Sequence, residues 1–520
     1  MKAFFQRFKR DIIFVLLFAA MAISYYDGVL EKGPYNMHLW RQTDCLSITQ
    51  MYSEGADLFS PEMHIQLADK NTSGKTAGEF PILYYAVGKL WSWTGQSYFT
   101  YRLIWLIVLF FGVFSLFKTL QLTTKNDLIS FLIPLLLFTS PVFVFYGVSF
   151  LTDAPAFSFI LIGIYFFTKH HFSSKSSFLY WACFFFLLAG LIKVSSLIAF
   201  IFLGFILLLE LFGISSVKNS NLFPFKKKAL IAFILTVLGI FSWYYYASIY
   251  NEAHSLKYTF NSVYTFFDIP SSDMQHWWYD FRDLSSVIFL SRPLFILLLL
   301  VAIFNLFLWR KLPKLLYLMS PIILLGSLLY FFLWAPLMAV HDYYFVALLI
   351  LIPAIFTPFC WFLKEAINSK VKVRVLSIFG FLFLVYNFIY CLQVTKLKTG
   401  AQNGEFAWVG NEKFTSNMRY INWDVAANWK SLERIQPELR KWGVKKEDLF
   451  ICLPDGSFNV SLFLVGQKGW TNFLNYNTSE QIENLIDKGA KYLLIMRRES
   501  ENQEFLESFK QVKIGEFENL

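Results

Sequence analysis

Residues 9–28 read KRDIIFVLLFAAMAISYYDG. This stretch decides what solvent the chain is built for. Lys9 and Arg10 precede an apolar run that starts at Ile12 and continues into Tyr25 and Tyr26. A helix needs about 20 apolar residues to cross the hydrocarbon core of a bilayer. The basic start and Ala20-Met21-Ala22 also fit a secretory leader with a cleavage site. The apolar run passes beyond that triplet, so 11–27 reads as an uncleaved anchor.

The same pattern recurs along the chain. Further apolar runs fall at roughly 99–121, 128–147, 149–168, 178–192, 194–212, 229–250, 286–309, 314–334, 343–363 and 374–393. The 520 residues are 56% hydrophobic and 16% charged, with a mean hydropathy of +0.48. A soluble domain carries about 25% charge. Disordered chains, disulfide mini-domains and ordinary soluble enzymes are thereby excluded. The five cysteines (Cys45, Cys183, Cys360, Cys391 and Cys452) form no C-x-x-C pair and no disulfide framework. The sequence predicts a polytopic α-helical membrane protein with about eleven spans.

Charge sets the orientation, because Lys and Arg near span ends favour the cytoplasm. With a cytoplasmic N-terminus, 19 of the 29 basic residues among the first 393 fall inside, including Lys226-Lys227-Lys228, Arg310 and Lys311. Only Asp11, Asp127, Glu210 and Glu365 join them as acids. Lys193, in a short outer connector, is the exception. The basic excess of +10 thus has a membrane origin and does not call for nucleic acid.

Residues 1–393 read as the membrane body, with long outer loops at about 28–98 and 251–285. The first includes the short apolar stretch Ile82–Trp93, which reads as a helix lying in the interface. Residues 394–520 differ. They hold 17 basic and 17 acidic residues in 127, close to soluble density. Asp448–Leu453 and Lys491–Met496 read as strands, Ser457–Val465 as a helix or strand, and Ser479–Gly489 and Glu501–Lys510 as helices. That pattern predicts a small α/β domain on the outer side, with no phosphate-binding glycine motif.

Ionisable groups at membrane depth are costly and mark function by default. Several fall at the outer end of the predicted bundle: Asp44 in Trp40-Arg41-Gln42-Thr43-Asp44, Glu79 in Gly78-Glu79-Phe80-Pro81, Asp153 in Thr152-Asp153-Ala154-Pro155, Lys193, and His341-Asp342-Tyr343-Tyr344. Taken singly, each has a bland reading. Asp44 and Asp153 could cap helices, Glu79 could be a solvated loop carboxylate, and Lys193 could snorkel to headgroups. Their convergence on one face favours chemistry.

In order and spacing, these elements resemble the GT-C membrane glycosyltransferases. The likeness is to glycosyltransferase family 39, the protein O-mannosyltransferases and their lipid A aminoarabinose transferase relatives. It rests on four features: the acid after the first span (Asp44), the Glu-x-Pro element (Glu79-Phe80-Pro81), the T-D-x-P element (Asp153), and the His/Arg-x-Tyr-Tyr element (His341–Tyr344). It covers residues 1 to about 393. Phe80 stands where the aminoarabinose transferases carry Lys, which speaks against that particular role.

The resemblance implies transfer, with inversion, of a sugar from a polyprenyl-phosphate donor at the outer face of a bacterial cytoplasmic membrane. The acceptor, whether protein, glycan or lipid, stays open. The leaving phosphate gains charge and needs cations. Arg41, Arg102, Lys193 and Arg292 are the candidates, with His341–Tyr344 beside them. A hydroxyl acceptor needs a carboxylate base, and Asp44 comes first, Asp153 second. The resemblance also implies a divalent metal ion held by Glu79 with His276, or His254 in its place. The rival reading is a transporter or a flippase of lipid-linked glycans. Transporters carry internal repeats and charge at the midplane, and the sequence shows neither.

Overall fold

The computed structural model describes residues 2–214, 222–256, 263–308, 310–367, 369–400, 411–476, 478–496, 513–518 and 520. It divides into two compact units. The first comprises Met1–Leu30, Arg102–Trp243 and Val263–Thr415. The second comprises Glu31–Tyr101, Tyr244–Ser262 and Ser416–Leu520.

The first unit is helical. All eleven expected apolar runs form helix, whole or broken. Five helices among the described residues are long and apolar enough to cross a membrane: Tyr98–Thr124, Lys226–Ala253, Leu315–Met338, Asp342–Ala366 and Val371–Lys398. A sixth follows if Met274–Ile288 and Arg292–Leu306 count as one bent span. The remaining runs are shorter, interrupted or more charged. Lys2–Tyr26 keeps Lys9, Arg10 and Asp11 on its own turns. The run expected at 128–147 breaks into Asp127–Leu137 and Pro141–Tyr146, because Pro141 cannot continue a helix from Thr139-Ser140.

The run expected at 286–309 differs most. Its two helices meet at 98°. Ser291 accepts a hydrogen bond from Leu294 N and Pro293 occupies the first turn, so a new helix starts at Arg292. The unit's interior is packed with phenylalanine. Phe14 stacks on Phe117 at 4.3 Å and Phe18 on Phe138 at 4.4 Å between ring centroids. Each ring buries a large apolar area, so such pairs fix helix positions where lipid supplies no hydrophobic drive.

The second unit mixes helix and sheet. The Leu39–Ser53 helix packs on the Ile82–Thr94 helix, whose Tyr84, Val87, Gly88 and Trp91 are buried. Gly88 permits the approach: a Cβ there would lie 2.6 Å from the Thr49 carbonyl oxygen. Three parallel strands, β1 (Leu449–Leu453), β2 (Gly469–Thr471) and β3 (Ala490–Ile495), line up in the order β2-β1-β3. Helices Val460–Val465 and Ser479–Asp487 supply the crossovers that parallel strands require. A capping box between Thr478 and Gln481 starts the second.

Ile451, Leu453, Trp470, Ile482 and Leu485 form the core of this sheet. The first-loop segment also reaches it. Gln66 N donates to Gly469 O at 2.8 Å and Gly469 N to His64 O at 3.1 Å. Gly469 takes φ 149° with the Phe450 backbone against it, which leaves no room for a side chain. The two expected strands and the Ser479–Gly489 helix are present, and Ser457–Val465 resolves to helix. β2, three residues long, is too short to show a period. The helix expected at Glu501–Lys510 lies outside the described residues.

Candidate functional site

Asp44 sits in the interior of the Leu39–Ser53 helix, not at its N-terminus, so it is not a cap. Five of the ten buried residues of this helix are Gln42, Thr43, Asp44, Ser47 and Thr49, beside Cys45, Leu46, Ile48, Met51 and Tyr52. Buried polar side chains must find partners. Asp44 is 1% exposed, and its Oδ1 accepts a hydrogen bond from Asn459 Nδ2 at 2.9 Å. Among the described residues no protein group hydrogen-bonds Oδ2. Burial pushes the Asp44 carboxyl up to about 7, against the lowering pull of Arg41 and Asn459.

Asn459 is held by its other atom. Its Oδ1 accepts from Ile65 N at 3.0 Å and faces Ser47 Oγ at 3.4 Å. Ser47 Oγ in turn pairs with His64 Nδ1 at 2.7 Å. Burial pushes His64 down to about 4, so it is neutral at physiological pH. Asp455, which accepts from Ser457 N at 2.8 Å and Ser461 N at 2.9 Å, folds the turn that presents Asn459.

Arg41 and Glu79 form an ion pair, and Tyr84 OH donates to Glu79 Oε1 at 2.9 Å. They line a small cleft with Met63, Thr76 and Pro81. Glu79 is therefore not a free loop carboxylate. The ligand set expected for a metal does not assemble. One Glu79 oxygen is engaged by Arg41 and Tyr84, and His254 Nδ1 is paired with Asp69 at 2.9 Å. His276 lies on an open helix face, 84% exposed and 3.2 Å from Asp280. Among the described residues no group of three or more His, Cys, Asp or Glu gathers. The positive charge at Glu79 comes from Arg41, which a second cation would have to displace.

The first unit holds its own cluster. Asp153 opens the Asp153–Ser173 helix, and its Oδ1 lies 3.1 Å from Lys193 Nζ. The Lys193 ammonium also sits 5.2 Å from the Tyr343 ring centroid and 5.3 Å from that of Tyr344. His341 stacks on Tyr343 at 5.3 Å. Three expected elements, Asp153, Lys193 and His341–Tyr344, thus converge. Asp342 faces elsewhere: it takes an ion pair from Lys398 and a hydrogen bond from Tyr146, all three buried.

Arg102 serves this cluster from behind. It is fully buried, donates to Val148 O at 2.5 Å and lies 4.1 Å over the Phe150 ring. Trp105 Nε1 donates to Leu151 O at 2.7 Å. Together they hold the backbone that leads into Asp153. Arg292 is exposed at the first turn of its helix.

Sequence reasoning missed Asn459, Tyr146 and Lys398. Asn459 lies in Ser457-Phe458-Asn459-Val460, an unremarkable polar site 415 residues from Asp44. Lys398 carried a faint signal, as a lysine one turn past the last apolar run.

No known family model matches the sequence, and no curated protein sequence is significantly similar to it. Solved structures share its fold. ArnT from Cupriavidus metallidurans bound to undecaprenyl phosphate is similar over 92% of this chain and 89% of its own, at 10% identity and a TM-score of 0.51. The Archaeoglobus fulgidus oligosaccharyltransferase in complex with Zn and sulfate is similar over 93% of this chain and 68% of its own, at 11% identity and a TM-score of 0.52. The same enzyme tethered to an acceptor peptide containing the NVT sequon matches 94% of this chain and 69% of its own, at 10% identity and a TM-score of 0.51. This chain has the fold of the GT-C membrane glycosyltransferases.

Proposed function

We propose that the protein is an inverting glycosyltransferase of a bacterial cytoplasmic membrane, moving a sugar from a polyprenyl-phosphate donor to an acceptor at the outer face. The observation that carries this reading is the buried Asp44 carboxylate, gripped at Oδ1 by Asn459 and with no protein partner at Oδ2 among the described residues. The GT-C fold and the undecaprenyl phosphate bound to ArnT support the donor class. Phe80 replaces the lysine of the aminoarabinose transferases, which points to a different sugar or acceptor.

The chemistry asks for a base at the acceptor and a cation at the leaving phosphate. An acceptor hydroxyl gives its proton to Asp44 Oδ2 as its oxygen attacks the anomeric carbon from the side opposite the phosphate. The bond between that carbon and the phosphate oxygen breaks, and its electron pair leaves with the polyprenyl phosphate. Inversion follows from attack on the opposite side. The departing phosphate needs a cation, and Lys193, ion-paired with Asp153, is the candidate that the first unit offers. A positioned base supplies roughly 10²–10⁴-fold in rate.

The test uses purified full-length protein in detergent with a radiolabelled polyprenyl phosphate sugar and a membrane extract as acceptor source. Sugar leaving the lipid without any gradient supports the proposal. Movement of intact lipid across vesicles, with no sugar released, would establish a flippase instead.

A further inference from the structure

We infer that Asn459 is a positioning residue for transfer, through which the C-terminal segment sets the carboxylate of the first loop. The inference rests on the reading of Asp44 as the base. Three observations carry it. First, the amide is fully engaged: Nδ2 meets Asp44 Oδ1 at 2.9 Å and Met63 Sδ at 3.2 Å, while Oδ1 meets Ile65 N and Ser47 Oγ. Second, its orientation is dictated. The Ile65 backbone N–H can only donate, so the amide oxygen must face it and the amide nitrogen must face Asp44. Third, Asn459 bonds only Oδ1, and Oδ2 has no protein partner among the described residues. One oxygen is anchored, and the other is left without a protein partner among the described residues.

A donor on a buried carboxylate favours its charged form. The groups acting on Asp44 are then Arg41 and Asn459, which favour the charge, and Glu79, Asp455 and burial, which oppose it. Arg41 divides its charge with Glu79. Asn459 is a neutral donor that, with Arg41, favours the charged form of Asp44 against burial. It reaches Asp44 from the loop between β1 and the Val460–Val465 helix, a loop tied down by Asp455.

The experiment follows the pH dependence of sugar release from a radiolabelled polyprenyl phosphate sugar. It compares wild type with Asn459→Asp and Asn459→Ser, each checked for folding by size-exclusion chromatography and thermal melting. Asn459→Asp keeps the shape and puts an acid against an acid, so the two share one proton. The acidic limb of turnover should move up by at least about one pH unit, since a lost charged hydrogen bond is worth that much or more. At pH 6.5 turnover should fall at least about tenfold, with partial recovery at pH 9 and donor KM unchanged. Asn459→Ser should shift the limb less. A folded variant with the wild-type limb overturns the inference, and so does failure of both variants to fold, which would make Asn459 structural. Absence of sugar release by the wild type itself would instead count against the glycosyltransferase reading.

Discussion

Lys398, the last residue of the Lys370–Lys398 helix, is ion-paired with Asp342, and both side chains are wholly buried. The pair joins positions 56 residues apart. Tyr146 completes it with a hydrogen bond to the other Asp342 oxygen, and the Lys398 ammonium lies 4.0 Å from the Phe145 ring centroid. The Asp342 turn that carries Tyr343 and Tyr344 is thereby pinned to the end of the final long helix.

Breaking this pair leaves a charge without its counter-ion. Lys398→Met should destabilise the protein by about 3–5 kcal/mol, as removal of one partner of a buried pair does. Lys398→Met combined with Asp342→Asn should recover much of that loss. Thermal melting in detergent reads both. A single variant as stable as wild type would show that the pair contributes nothing.

Asp44→Asn keeps the shape of the side chain and removes the base. Turnover should fall at least about a hundredfold, with donor affinity little changed. Wild-type turnover should rise with pH through about 7, the value to which burial pushes Asp44. Stability moves the other way. The folded carboxyl holds its proton up to about 7, whereas an unfolded aspartate loses it near 3.8. That contribution is present at low pH and is lost as pH rises from about 4 to about 7. Asp44→Asn should therefore melt higher than wild type at pH 8, by an amount that vanishes near pH 4. Melting curves at the two values check the sign.

Lys193 sits over two tyrosine rings with Asp153 as its counter-ion. Lys193→Met should raise donor KM at least about tenfold, in keeping with the loss of a charged contact to phosphate. Asp153→Asn leaves the ammonium in place and should be milder than Asp44→Asn. Steady-state kinetics with a labelled donor separate the two effects. An unchanged KM in folded Lys193→Met would move the phosphate contact to another cation.

The Lys and Arg distribution predicts an outer C-terminus. Alkaline phosphatase fused after Leu520 should be active, since it folds only outside the cytoplasm. A silent phosphatase, with an active cytoplasmic reporter at the same junction, would reverse the orientation.

The membrane body was legible because lipid imposes a length and a composition on any helix that crosses it. Residues 99–121, 229–250 and 374–393 announced themselves as apolar runs, and the structure makes them long helices. Position along the chain also singled out Asp44, Asp153, Lys193 and His341–Tyr344, since charge beside apolar sequence is expensive enough to stand out. Partners were another matter. Nothing in Ser457-Phe458-Asn459 says that its amide closes on an aspartate 415 residues earlier. Glu79 and Arg41 looked like separate candidates, a metal ligand and a phosphate contact, until the fold paired them. Arg102 looked like a free cation, yet its guanidinium braces the Val148 carbonyl. The sequence by itself determined which helices are long and apolar and which charged residues stand beside them. Only the tertiary structure decided what each one faces, because a hydrogen bond or ion pair depends on distances of about 3 Å between positions that sequence separation does not encode.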